Sequence, residues 1–302
     1  MQCFKCLKEI TGEHRYGLHQ ACFMEWFKLT EDAEFRDLEI RSESDPQKNK
    51  KDHRTWNSSF FQGNYKKYSA NLGDQSYILK VKETQYPEMP EVEFTCNRIA
   101  SFLKIPVPTY YMILLFDERV FVTKNFCRTS GTRMNLDHIY KYLSEDCEFD
   151  CETLIDVIFK ETGKFNDVSI FIETCLFDAL IGNHDRHGRN IGLIVTSKGT
   201  RLSPIYDNPS QLGLESNKFL KMHWSPKGKI WTKSSKEPTP KDYVLEFNRL
   251  GYEEVVSEFI ERINKEKIMQ IIDDGFCSDL MKNALKKLIK ERIQEYYDSS
   301  AR

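Results

Sequence analysis

The sequence predicts a two-lobed α+β fold, with a small sheet lobe carrying one helix ahead of a larger helical lobe. Three observations point there. Residues 56–126 run as strand, loop, strand, helix, strand, strand, while the second half carries mostly helical periodicity. The chain has 302 residues, 40% of them hydrophobic and 13% aromatic, which is enough apolar material for two packed units. A polar stretch, RSESDPQKNKKDHRT (41–55), reads as a linker. The expected organisation is therefore a Cys/His cap with its linker (1–55), a sheet unit (56–126) and a helical lobe (127–302).

Each element has its own signal. WNSSFF opens the sheet unit, followed by QGNYKKY and by SANLGDQSYILKVK, with a turn at Gly73-Asp74. In SYILKVK, Tyr77, Leu79 and Val81 face one way, and Ile78 and Lys80 the other. Over 87–105, Val92, Cys96, Ile99 and Leu103 recur at helical spacing until Pro106 and Pro108 stop the run. YYMILLF (110–116) and RVFVTKNF (119–126) form a strand pair across Asp117-Glu118. Helices are expected over 151–163 and 167–181, the second with Asp167 as N-cap and an apolar stripe through Val168, Phe171, Ile172, Cys175, Leu176 and Ala179. NIGLIV and LSPIYD, separated by SKGT, make a hairpin whose second strand ends at Asp207. The basic stretch SPKGKIWTKSSKEPTPK (225–241) reads as a solvated loop, or as a segment that meets a substrate or receives phosphate. From about 241 onward the pattern is charged and helical.

Composition narrows the function. A net charge of −2 gives no overall basic field for nucleic acid. No apolar run reaches the roughly 18–20 residues that span a bilayer, and MQCFKCLKEI lacks the apolar core of a signal peptide. A cytoplasmic chain is expected, without membrane or direct nucleic-acid contact. Nine scattered cysteines, an odd number, argue for reduced thiols over a disulfide framework. Cys3, Cys6, His19 and Cys22 have the short-spaced pairs of a tetrahedral Cys3His zinc site. With four protein ligands and no open position such a Zn²⁺ is structural; buried or free thiols are the alternative.

The densest chemistry lies in GNHDRHGRN (182–190). His184 and His187 are three apart among residues that disfavour a helix, which does not suit the i, i+4 pairs of helical zinc sites. Arg186 and Arg189 alone are too few for a nucleic-acid grip. Asp185 and Asn190 instead have the D-x-x-x-x-N spacing of a protein-kinase catalytic loop, with Asp as base and Asn as metal ligand. The hairpin that follows returns the chain to Asp207 in YDN, close enough to Asn190 to share a hard cation through oxygen. Upstream, Lys80 follows a loop around Gly63, and the next helix offers Glu91 or Glu93 to hold its ammonium against phosphates.

Four stretches carry a resemblance to a known family: YILK (77–80), PEVEFTCNRIASFLKIPVP (90–108), LIGNHDRHGRNIGLI (180–194) and LSPIYDNPS (202–210). In these the chain resembles the HipA-family serine/threonine protein kinases of bacterial toxin–antitoxin modules, most of all the short HipT-like toxins. The resemblance implies a bilobal protein-kinase-like fold that binds ATP with Mg²⁺ and phosphorylates protein hydroxyls, aminoacyl-tRNA synthetases being among the family's targets. It implies Asp185 as catalytic base, Asn190 and Asp207 as Mg²⁺ ligands, and Lys80 on the ATP phosphates with Glu93, ahead of Glu91, as its partner. It further implies Phe121, Val122, Thr123 and Lys124 as the adenine hinge, and His187 as a residue that shapes the loop. The family's phosphate loop resembles S-x-x-G-x-Q-P-K, and a serine there is self-phosphorylated in some members. Aligned on Gly63 and Lys67 this chain reads FFQGNYKK, so Tyr65 and Lys66 replace Gln-Pro, and Ser58 and Ser59 fall too early. The short members receive a missing N-terminal subdomain as a separate protein, which implies a small HipS-like partner and a DNA-binding HipB-like antitoxin. A lipid or small-molecule kinase, which can share D-x-x-x-x-N, and an inactive ATP-binding module are the alternatives.

Overall fold

An antiparallel five-stranded sheet and a helical lobe with its own three-stranded sheet make up the chain, as seen in a computed structural model. The structure describes residues 1–41, 67–127, 134–144, 147–215, 220–221 and 225–300. The expected strand WNSSFF, the loop around Gly63, and Ser58 and Ser59 lie outside these residues.

The larger sheet is ordered β1-β2-β3-β5-β4 and comprises β1 (Arg36–Arg41), β2 (Lys67–Leu72), β3 (Gln75–Val81), β4 (Tyr110–Leu115) and β5 (Glu118–Lys124). The turn at Gly73-Asp74 joins β2 to β3 in register, with Leu72 opposite Gln75. Phe116 and Asp117 close the β4–β5 hairpin with both residues at positive φ, the backbone that a two-residue primed turn requires. The edge strand β1 comes from ahead of the expected boundary at residue 55. Its sequence, RDLEIR, is charged, as exposed edges often are, and Asp37 at φ 56° breaks its register with a bulge.

The N-terminal cap is built into this lobe. Cys3, Phe4, Leu18, Phe23 from α1 (Gln20–Phe27), Phe27 and Phe35 share one apolar core with Tyr77, Leu79, Tyr111 and Val122 of the sheet. Phe27 stacks on Tyr111 with ring centroids 4.1 Å apart. Cap and sheet thus bury one continuous apolar surface, which neither would cover alone.

Helix α2 (Met89–Phe102), opened by Pro90, lies where the lobes meet. Phe94 joins the sheet core, whereas Val92, Cys96, Ile99 and Ala100 join the core of the large lobe. That larger core centres on α4 (Phe165–Ile181), which is apolar nearly all round and packs against α3 (Cys151–Thr162), α5 (Pro240–Arg249), α6 (Glu253–Glu261) and α8 (Asp279–Ser300). Helix α7 (Lys265–Asp273) bridges α2 and α8. Among the described residues, no helix is long and apolar enough to cross a membrane.

Three local expectations need correction. Asp167 is not the N-cap of α4. Lys164 holds that position, and Asp167 lies in the first turn, where its Oδ2 accepts from the backbone N–H of Leu202 at 3.0 Å. The second strand of the expected hairpin ends early. Strands β7 (Gly192–Thr196) and β8 (Gly199–Leu202) pair as expected, with β6 (Asn135–His138) added on the other side, but 203–208 leaves the sheet as irregular chain. Finally, 225–241 is not a solvated loop. Ile230 is 1% exposed, its carbonyl accepts from Tyr243 Oη at 2.8 Å, and the Trp231 backbone bonds to Phe149 and Cys151.

Candidate active site

The site is assembled from β2, β3, α2 and the two segments that flank the β7–β8 hairpin. Lys67 and Lys80 face each other across β2 and β3, and both ammonium groups reach Asp207, Lys67 at 3.2 Å and Lys80 in a closer contact. Lys80 Nζ also meets both carboxylate oxygens of Glu93, at 2.6 and 2.7 Å. Glu91 points elsewhere, toward Arg119 at 3.4 Å. Of the two helix glutamates that the sequence offered, Glu93 is therefore the partner of Lys80. One turn on, Asn97 Nδ2 donates to the Glu93 carbonyl, and its Oδ1 accepts from Asn208 Nδ2 at 3.2 Å, tying α2 to the Asp207 segment.

Asp207 sits at φ 52°, a left-handed backbone that Asp tolerates better than most residues. Burial works against its charge, but the ammonium groups of Lys67 and Lys80 hold its carboxyl well below the usual carboxylate range. Burial pushes the Glu93 carboxyl up, and the nearby Asp207 adds to this, against the pull of Lys80. Burial alone would lower Lys80, but Asp207 and Glu93 raise it above its usual value, so its ammonium stays charged. Because the folded carboxyl of Asp207 titrates below its ordinary 3.8, its stabilising contribution is complete above that value. It is lost as pH falls through the folded value. In urea denaturation, the stability gap between wild type and Asp207→Asn should stay constant from about pH 7 to about pH 5 and narrow as the pH falls below about 4.

The loop 182–190 is held from beneath by Arg186, which is 1% exposed. Its Nε and Nη2 donate to the two oxygens of Asp178 at 2.7 and 2.9 Å, Nη1 to the carbonyls of Asn190 and Tyr206, and Nη2 also to Asn208 Oδ1. One guanidinium thus fixes the end of α4, the loop and the Asp207 segment together. Asn183 bridges Asp178 to the backbone N–H of Asp185, and Asn190 Nδ2 donates to the Asp185 carbonyl at 2.7 Å. With that amide nitrogen engaged, Oδ1 is the atom Asn190 can offer a cation. The Asp185 carboxylate itself stands 59% exposed, 3.7 Å from His187 Nε2. His187 Nδ1 accepts from Arg189 N, and His184 meets the Lys227 carbonyl at 2.6 Å, so both histidines shape the loop.

The expected hinge residues are divided between two environments. Phe121 and Val122 lie mid-strand, paired on both sides by β3 and β4, and Val122 belongs to the sheet core. Thr123 and Lys124, with Phe126 beyond the strand end, line the cleft beside Lys80 and Asp207. Among the described residues this cleft holds about 20 Å³, and Lys80 meets Asp207 in its wall.

Sequence reasoning missed Asp178, Asn97, Asn208, the hub role of Arg186 and the contact of Lys67 with Asp207. Asp178 did leave a signal, as the one carboxylate within the apolar run CLFDALI (175–181). The Arg186 hub left none, since a loop arginine is ordinarily a surface charge. Elsewhere, the four expected metal ligands Cys3, Cys6, His19 and Cys22 bring their ligand atoms within 4.8 Å of one another.

A sheet lobe with a Lys–Glu pair, a helical lobe with a D-x-x-x-x-N loop, and a returning Asp between them define a bilobal kinase-like fold. The model of the HipA-like C-terminal domain matches residues 54–276, and the chain belongs to that family. Y4dM of Sinorhizobium fredii, described as a kinase, is 28% identical over 149 residues, which cover 44% of this chain and 36% of that protein. The likeness therefore spans about a third of that relative's length. Among solved structures, the Helicobacter pylori proinflammatory kinase CtkA is similar with TM-score 0.65 and 19% identity, over 78% of this chain and 92% of that one. HipA of Shewanella oneidensis MR-1, solved with HipB and operator DNA, gives 0.55 and 14% over 74% and 58%. At these identities the likeness is one of fold, a HipA-like kinase fold.

Proposed function

We propose that the chain is an ATP- and Mg²⁺-dependent serine/threonine protein kinase of the HipT-like toxin kind. The observation that carries this is the joining of two half-sites through Arg186: the Lys80–Glu93–Asp207 cluster and the Asp185–Asn190 loop. The exposed carboxylate of Asp185 accepts the hydrogen bond of a substrate hydroxyl and orients it toward the γ-phosphate. Lys80 exchanges its contact with Asp207 for the phosphates, while Glu93 keeps its ammonium in place. Lys67 stands ready as a second cation beside them. The Asp207 carboxylate and Asn190 Oδ1 fit the hard-oxygen chemistry of Mg²⁺, which when bound would screen the phosphate charge. Thr123, Lys124 and Phe126 border the place of the adenine.

Incubating the protein with labelled ATP and a whole-cell lysate tests the substrate class. A labelled protein band carrying phosphoserine or phosphothreonine is expected, and an aminoacyl-tRNA synthetase is the first candidate for it. Label in lipid or small metabolites alone would point to another kinase class, and ATP binding without any transfer to an inactive module. By the same reading the chain works in the cytoplasm with a small HipS-like partner and a HipB-like DNA-binding antitoxin. Co-purification with products of neighbouring reading frames is the expected result, and its failure would count against those partners.

A further inference from the structure

We infer that Cys3, Cys6, His19 and Cys22 form a closed zinc site that fastens the N-terminal cap to α2 and to the large lobe. The inference stands apart from the phosphotransfer reading, since none of these residues lies in the cleft.

The backbone delivers the ligands from two sides. A tight knuckle, closed by Cys3 N–H to the Lys8 carbonyl and Leu7 N–H to the Cys3 carbonyl, with Leu7 at φ 60°, presents Cys3 and Cys6. His19, the N-cap residue of α1, and Cys22, one turn along, approach from the opposite side. His19 Nδ1 lies 3.5 Å from Cys6 Sγ and 3.8 Å from Cys22 Sγ. A tetrahedron built on Zn–S of about 2.3 Å and Zn–N of about 2.0 Å has edges of roughly 3.5–3.8 Å, so these separations fit one. The other imidazole nitrogen, Nε2, meets the Glu9 carbonyl at 3.1 Å. Donation there fixes the tautomer with the Nδ1 lone pair turned to the sulfurs, the outer-shell arrangement that metal-bound histidines commonly have. All nine cysteines are free thiols, and three sulfurs with one imidazole suit zinc better than the hard cations.

What the site would fasten follows from its neighbours. Phe4, between the two knuckle cysteines, packs edge-on against Phe276 of the large lobe at 4.9 Å. Phe276 in turn packs on Phe94 at 5.6 Å, the residue next to Glu93 in α2. The chain between the two ligand pairs adds a bond from Leu114 N–H in β4 to the Tyr16 carbonyl. A metal at the knuckle thus holds Phe4 in an aromatic stack that backs the helix carrying Glu93.

The test uses the full chain, purified without chelator. Elemental analysis should find about one zinc per chain, and Cys22→Ser should lose it. Because that variant could also fail to fold, Co²⁺ is added to the reduced wild-type protein, where absorption of a tetrahedral thiolate–cobalt site is expected. Protein without zinc and without this absorption overturns the site. Amide hydrogen exchange then reads the fastening: stripping the metal should speed exchange in residues 89–102. Unchanged protection of α2 after zinc removal would overturn the link to the helix while leaving a metal site in the cap.

Discussion

An Asp185→Ala protein should lose about 10²–10⁴-fold in transfer to protein hydroxyls, the range a positioned general base contributes, and should keep its fold. The carboxylate is mostly exposed, and the bonds that shape the loop use the Asp185 backbone, from Asn190 Nδ2 to its carbonyl and from its N–H to Asn183 Oδ1. Alanine leaves both intact. Thermal unfolding and ATP affinity should therefore match wild type while turnover falls. A large drop in melting temperature would mean that the carboxylate holds the loop, contrary to its exposure.

The second large effect is structural. Arg186→Ala should destabilise the protein by about 3–5 kcal/mol, the cost of breaking a buried ion pair from one side. All five N–H donors of this guanidinium are implied in the geometry of the site, and its loss leaves the buried Asp178 carboxylate short of its counter-charge. Lysine should not rescue it, since one ammonium cannot span Asp178, the two carbonyls and Asn208 at once. The pair Arg186→Leu with Asp178→Leu should recover stability relative to Arg186→Ala, because no unpaired charge then remains buried. It should not recover transfer, because the bonds from residue 186 to the Asn190 and Tyr206 carbonyls are then missing. Chemical denaturation together with turnover of the three variants separates these two roles.

Much of this arrangement was legible in the sequence, for definite physical reasons. The alternation in SYILKVK placed Lys80 opposite the core face, and the structure buries Tyr77 and Leu79 in the sheet core on the other side. Helical spacing over 87–105 and the proline stop set α2 within three residues at each end. The hairpin rule returned the chain so that the Tyr206 and Asn190 carbonyls meet the same guanidinium, although the strand itself ends at Leu202. What stayed hidden depends on contacts between residues distant in sequence. RDLEIR has too few apolar residues to announce a strand, and only its pairing with β2 makes it one. The position of Lys67 on Asp207 spans 140 residues of chain. In the sequence Arg186 looks like any loop cation, because its burial depends on Asp178, Tyr206 and Asn208 converging on it. Spacing does not encode that convergence.

The most direct measurement is transfer of the γ-phosphate from labelled ATP, with Mg²⁺, to protein hydroxyls in a lysate, run side by side for wild type, Asp185→Ala and Asp207→Ala. A labelled protein with wild type, and loss of that label with both variants while Asp185→Ala melts as wild type does, is the result the site predicts. Full labelling by Asp185→Ala would contradict it.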